Sequence, residues 1–392
     1  MTAAVIYAKF SPFHVARVQT AHRVGRSRGH RVVGIEIADT QKAMYGWTPL
    51  TASEREYPHV TLFRDRDYGA VPYRRMRRAL HEALTKIAPD VVVLPGWGVR
   101  EGIAGLSWCL SEAVPRVVLS STHAADTRQR LVKLWLKRRI VSCYQAGFVA
   151  GSRQLRYLAG LGLAAERCFV GCAVVDNGQF AAHAAPGEKI HGASAARPVL
   201  LSCVRLHPRK NLLGALETLA ARRGDWTWII AGDGPQRAEI EQRIRELDLG
   251  DQVRLLGNVG YSEIAPLYHR ADAYLQPSVS EPWGLAVNEA MASGLPIIVS
   301  NQCGCREDLL EDGVNGFAFD AADPASLGAA LDNLTRARDR WTEMGNASRR
   351  IVAGWDLELF ARNFWSSCVT ALGHLGARSG VEPTEWAIRL LL

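Results

Sequence analysis

Apolar and polar positions along the chain alternate between two periods. Short β-branched runs read as buried strands, and stretches with apolar residues three and four apart read as helices packed on one face. In the first half the strand runs fall at 3–8, 31–38, 60–63, 90–94, 116–120, 147–150 and 167–171. Helical patterns at 15–28, 73–87, 102–113 and 130–140 lie between them. A second series places strands at 199–204, 226–231, 253–256, 273–276, 296–299 and 316–319, with helices around 212–221, 236–247, 261–269 and 285–292. A last helix, 357–372, carries Trp, Phe and Leu on one face.

Such alternation predicts an α/β chain built of parallel βαβ units, in two Rossmann-like doubly wound sheets. Its 392 residues suit two domains better than one. A small-residue, Gly/Pro-punctuated stretch separates the two series and reads as a linker. The predicted division is a first domain at 1–182, a linker at 183–197, a second domain at 198–355 and C-terminal helices at 356–392, expected to pack back on the first domain. Two such domains imply a cleft lined by the carboxyl ends of their strands.

Composition narrows the class. Apolar residues at 48% and charged residues at 22% describe a globular chain, and no run approaches the length of a membrane-spanning helix. The first residues lack a secretion signal and read as a strand, so the expected location is the cytoplasm. Eight cysteines at 109, 143, 168, 172, 203, 303, 305 and 368 form no disulfide ladder, and none has a His at zinc-site spacing. Buried thiols, with no metal and no cofactor, are the expectation.

Charge changes the picture more. Residues 1–190 carry 27 Lys and Arg against 14 Asp and Glu, and the remainder 20 against 25, giving the net +8. Arg74, Arg75, Arg77 and Arg78 share one helix, and Arg128, Arg130, Lys133, Lys137, Arg138 and Arg139 surround another that also bears Leu131, Leu134, Trp135 and Leu136. Two readings stay open: a peripheral contact with an anionic membrane, or a helix docked on its sheet with solvated arginines outward. Nucleic acid is not expected, because no binding motif accompanies the charge.

The segment from Glu281 to Glu289 carries the candidate chemistry. It reads as a strand end, a Pro282-Trp283-Gly284 turn and a helix opening at Leu285. Backbone N–H groups of Trp283, Gly284 and Leu285 would face an anion at the helix N-terminus, and Glu289 can accept hydrogen bonds from a vicinal diol such as a ribose. Alone, the same residues also fit a surface helix with two capping carboxylates.

The segment does not stand alone. Two glutamates with seven residues between them precede Gly294-Leu295-Pro296-Ile297. Nearby are Gly304-Cys305-Arg306-Glu307-Asp308, Glu311-Asp312-Gly313-Val314-Asn315-Gly316, Gly232-Asp233-Gly234-Pro235, Leu256-Gly257-Asn258-Val259 and Arg205-Leu206-His207-Pro208-Arg209-Lys210. Over about 200–320 this order resembles the signature of the family 4 retaining glycosyltransferases of GT-B fold.

The resemblance implies a nucleoside-diphosphate-sugar donor, UDP-sugar by default, held by the second domain. The acceptor would be a glycan, a lipid-linked molecule or a small molecule on the first. Arg205 and Lys210 match the basic pair that holds the donor diphosphate, a charge this family generally neutralises without metal. Glu289 would bind the ribose, Glu281 the transferred sugar, and Gly257, Asn258 and Val259 the base. His123, after an acceptor-domain strand, matches a His that reaches the reaction centre, with Asp126 a weaker neighbour. Many relatives carry a Gly-Gly loop after strand one. Here Lys9, Ser11 and His14 stand in a loop without glycine, and are expected to shape the acceptor pocket. A GT-B nucleotide-sugar 2-epimerase or hydrolase, and a non-catalytic sugar-nucleotide-binding module, are the alternatives.

Overall fold

The computed structural model describes residues 1–40, 55–126, 131–182, 197–222 and 224–374. The expected linker therefore lies outside the described residues except for Arg197, as do Arg128 and Arg130. Two compact units emerge, one formed by Met1–Val174 with the segment from Leu357, the other by Val175–Asp356.

In the first unit seven parallel strands, β1 (Thr2–Tyr7), β2 (Arg31–Thr40), β3 (His59–Asp67), β4 (Val91–Pro95), β5 (Arg116–Ser120), β6 (Ala146–Val149) and β7 (Cys168–Phe169), run in the order β3-β2-β1-β4-β5-β6-β7. Helices α1 (Pro12–Arg26), α2 (Tyr73–Ile87), α3 (Arg100–Ser111), α4 (Leu131–Val141) and α5 (Ser152–Gly160) connect them. A parallel sheet needs cover on both faces. On one face Ala4, Ile6, Val92, Leu94 and Val118 meet Met76, Leu80 and Leu84 of α2 and Ile103 and Leu106 of α3.

The other face is closed from far along the chain. Helix α14 (Leu357–Gly373), after α6–α13 of the second unit, packs Phe360 against Phe148 at 5.0 Å between ring centroids. Its Trp365 donates from Nε1 to the Ala21 carbonyl of α1 at 2.8 Å. Gly25 gives that indole room, since a Cβ there would lie 2.3 Å from Trp365 Cζ2.

The second unit has six parallel strands: β8 (Val199–Cys203), β9 (Thr227–Ala231), β10 (Val253–Gly257), β11 (Ala273–Gln276), β12 (Ile297–Ser300) and β13 (Gly316–Phe319). Their order is β10-β9-β8-β11-β12-β13. Helices α6 (Asn177–Ala181), α7 (Leu212–Ala220), α8 (Arg237–Glu246), α9 (Tyr261–His269), α10 (Leu285–Ala292), α11 (Arg306–Leu309), α12 (Pro324–Arg336) and α13 (Trp341–Val352) surround the sheet. The strand order reverses between β8 and β11, so the loops leaving those two strands diverge and open a crevice at their carboxyl ends.

Several elements differ from expectation at their edges. Helix α1 begins at Pro12, because Ser11 caps it in extended conformation and Pro suits the first turn. Strand β3 runs on to Asp67 through exposed charged residues that hide its pairing with β2 from a hydropathy pattern. Helices α5, α6, α11, α12 and α13 are additional to the predicted set.

Candidate donor site

The crevice of the second unit is floored by the loop after β8. Gly232 and Gly234, in the turn after β9, let that loop lie close: a Cβ on Gly232 would sit 1.9 Å from the Val204 carbonyl oxygen, and one on Gly234 2.3 Å from that of Leu206. Backbone bonds from Leu206 to Asp233 (3.0 Å) and from Gln236 to Leu206 (3.1 Å) fix the loop in place. Arg205 is thereby exposed at the loop's start. Lys210 ends the short 3-10 turn Pro208–Lys210.

The loop after β11 forms the opposing wall. Glu281 is held by a parallel bridge to Cys303 and by the Gly304 N–H donating to its carbonyl at 2.9 Å. Its carboxylate forms an ion pair with the Lys210 ammonium. The two loops that part at the switch point thus meet through these side chains. A charge-assisted contact between partly buried groups is stronger than an exposed one, and orders both.

Just beyond, Gly284 at φ 105° forms the N-cap of α10, a left-handed conformation that suits glycine. Trp283 is buried, its indole donating to Asn288 at 2.9 Å and its ring centroid 5.2 Å from that of Trp355. Only its backbone is thus available at the turn. Leu285, the first residue of α10, is half-buried.

Glu289 lies within α10 on a buried turn. The Tyr268 hydroxyl donates to it at 2.7 Å. Burial pushes its carboxyl up to about 7, against the opposing effect of the Tyr268 hydrogen bond. Gly257, at φ 76°, ends β10, followed by exposed Asn258 and half-buried Val259.

Three polar residues that the sequence patterns did not single out support these carboxylates: Gln276 and Tyr274 on β11 and Tyr268 on α9. Gln276 is 1% exposed and donates to Glu281 at 3.3 Å. A glutamine closing an otherwise apolar strand just before Pro277 was the available signal.

In the first unit His123 is buried just after β5, ahead of a 3-10 turn at Ala124–Asp126. The Asp126 side chain lies outside the described residues. After β1, Ser11 and His14 engage each other. The Ser11 N–H lies 3.3 Å from His14 Nδ1, and Ser11 Oγ 2.9 Å from the same nitrogen. His14 stacks on Tyr7 at 4.1 Å, and burial with the nearby Arg17 charge holds its imidazole well below the usual histidine range. Both therefore serve the start of α1. Lys9 is half-buried beside them, and its amine is lowered by burial.

Among the described residues no group of three His, Cys, Asp or Glu is arranged around a common metal position. All eight cysteines are free thiols, seven of them buried and Cys203 half-buried.

Residues 188–351, which contain the whole of this crevice, match the family model described as Glycosyl transferases group 1. Over that region the second unit is similar to the group 1 glycosyl transferases. Glycogen synthase of Mycobacterium tuberculosis is 31% identical over 188 residues, 46% of this chain and 43% of that protein. The 2-deoxystreptamine N-acetyl-D-glucosaminyltransferase of Niallia circulans is 33% identical over 117 residues, 30% of each chain. The matched region thus spans less than half the length of these relatives.

Likeness of fold extends further than likeness of sequence. HepE of Anabaena, solved with UDP and glucose, has a TM-score of 0.72 at 16% identity, covering 94% of this chain and 100% of that one. Sucrose-phosphate synthase of Thermosynechococcus elongatus has a TM-score of 0.71 at 17% identity, covering 93% and 97%. The chain has the GT-B fold, with two Rossmann-like parallel sheets.

Proposed function

We propose that this chain is a retaining glycosyltransferase that moves a sugar from a nucleoside diphosphate, UDP in the first instance, to an acceptor. The acceptor is a glycan, a lipid-linked molecule or a small molecule of cell-surface polysaccharide or glycoconjugate synthesis. The observation that carries the reading is the Lys210–Glu281 ion pair at the β8/β11 switch point, beside the N-terminus of α10. It puts a fixed cation, helix N–H groups and a hydroxyl-accepting carboxylate at one crevice.

Each group has work in such a transfer. Arg205, Lys210 and the N–H groups at Trp283, Gly284 and Leu285 neutralise the diphosphate as it departs, without calling on a metal. Glu289 accepts from the ribose hydroxyls and Glu281 from those of the transferred sugar, while Gly257, Asn258 and Val259 border the base. His123, with Asp126, Lys9, Ser11 and His14, belongs to the acceptor side in the first unit. The acceptor hydroxyl attacks the anomeric carbon on the face from which the phosphate leaves. The carbon–oxygen bond to phosphate breaks, and that phosphate oxygen takes the acceptor's proton. Support for UDP comes from the similarly folded HepE, solved with UDP and glucose.

We place the enzyme in the cytoplasm against an anionic membrane face. Helix α4 carries Lys133, Lys137, Arg138 and Arg139 and no acidic residue, yet leaves Leu131, Val132 and Trp135 exposed.

A panel of nucleoside diphosphates and their sugars tests the central claim, read by thermal shift and by NMR of the product's anomeric proton. The expected result is stabilisation by UDP and a product of the donor's anomeric configuration. No stabilisation by any nucleoside diphosphate, or an inverted product, overturns it.

A further inference from the structure

Gln276 is the last residue of β11, and its side chain is inside the protein. Its Oε1 accepts from the Tyr274 hydroxyl at 2.6 Å. Its Nε2 donates to Ser278 Oγ at 2.8 Å and to Glu281 Oε2 at 3.3 Å. All four residues lie on one strand and the loop that leaves it, so β11 carries the network rigidly.

We infer that Gln276 is a positioning residue for Glu281, locked in its working orientation by Tyr274.

The chemistry of the amide supports the assignment. A side-chain amide offers an acceptor at one end and donors at the other, whereas a carboxylate only accepts. Turned over, the Gln276 carbonyl would face Glu281 oxygen to oxygen. The Tyr274 hydroxyl, buried and held well above the usual tyrosine range by that burial, remains a donor and occupies the Gln276 oxygen. Glu281 Oε2 therefore receives two donors, the Lys210 ammonium from the β8 loop and the Gln276 amide from β11. This inference rests on the proposed transfer. Once a donor diphosphate draws on the Lys210 charge, Gln276 is the neutral donor that keeps the Glu281 carboxylate aimed at the sugar. Buried polar networks of this kind fix geometry when every member is satisfied.

The test uses the full chain as Gln276→Met, Tyr274→Phe and the double variant. It reads kcat and KM for UDP-sugar turnover together with melting temperature with and without UDP. Gln276→Met is expected to lower kcat by about tenfold to a hundredfold, leaving the UDP-induced melting shift in place. Tyr274→Phe should lower kcat less, and the double variant should match Gln276→Met, because Tyr274 acts only through the amide. A Gln276→Met enzyme with the parent's kcat overturns the inference, as does an additive double variant. If Gln276→Met fails to fold, Tyr274→Phe, which removes one oxygen, decides by the same kcat comparison. A parent chain with no turnover and no UDP-induced shift defeats the transfer reading itself, a result distinct from any of these.

Discussion

The Tyr268 hydroxyl and the Glu289 carboxyl form a 2.7 Å hydrogen bond in the interior of the second unit. Burial has raised the carboxyl to about 7, so near neutrality it is divided between its two protonation states. Ribose hydroxyls donate, and therefore prefer the ionised form. Nucleoside-diphosphate affinity is expected to rise as pH increases from 6 to 8, and titration calorimetry across that range measures it. Glu289→Gln should weaken binding and flatten the dependence.

The same carboxyl bears on stability. Its folded-state value lies above the unfolded one, so its stabilising contribution is complete below about pH 4.5 and lost as pH rises through about 7. The loss is on the order of 3 kcal/mol. Relative to the parent, Glu289→Gln should melt higher at pH 8 than at pH 5.

Lys210 is the cation whose removal tests the proposed donor site most directly. Lys210→Met is expected to reduce kcat/KM for the donor by about a hundredfold or more and to shrink the melting shift given by UDP. The unliganded melting temperature should also fall, because Glu281 at 12% exposure loses its ion-pair cation, so the UDP-induced shift is read relative to each variant's own unliganded value. A variant with undiminished kcat/KM would remove Lys210 from the site.

Gly25 offers a test confined to the first unit. Gly25→Ala would press a methyl group into the Trp365 indole, 2.3 Å from Cζ2. Overpacking of this kind costs about 1–3 kcal/mol. Thermal denaturation should show a lower melting temperature while UDP still stabilises the protein.

The α4 surface makes a prediction about location. Sedimentation with vesicles containing phosphatidylserine should carry the protein down, and vesicles of phosphatidylcholine alone should not. Salt should release it, since each Lys or Arg near such a surface contributes about 1 kcal/mol that screening removes. Replacing Leu131 and Trp135, 85% and 49% exposed, with Ala should weaken the association. Equal binding to both vesicle types would defeat the idea.

Much of this architecture was legible in the sequence, for physical reasons. Strand β11 matches its predicted bounds because fully buried parallel strands read as continuous apolar runs. Helix α12 went unread although Asp323, accepting from the Ala325 N–H at 2.9 Å, and Pro324 announce its start. The candidate site was read where backbone geometry demands particular residues, as at Gly284, and, for Lys210, Glu281 and Glu289, from the resemblance of their motifs to a family signature, whose roles are the proposal made above. Gln276, Tyr268 and Tyr274 were not. Each sits where apolar side chains also fit, and its purpose appears only when the chain folds a carboxylate against it.

The bond from Trp365 to Ala21 spans 344 positions. As a ribosome adds residues in order, the sheet of the first unit is finished early, but the face that α1 covers in part stays incomplete over β4–β7 until α14 emerges. The uninterrupted second unit can meanwhile reach its own fold. A translating chain thus holds a partly uncovered apolar surface from the completion of β7 at Phe169 until α14 begins at Leu357, the interval in which chaperones and misassembly compete.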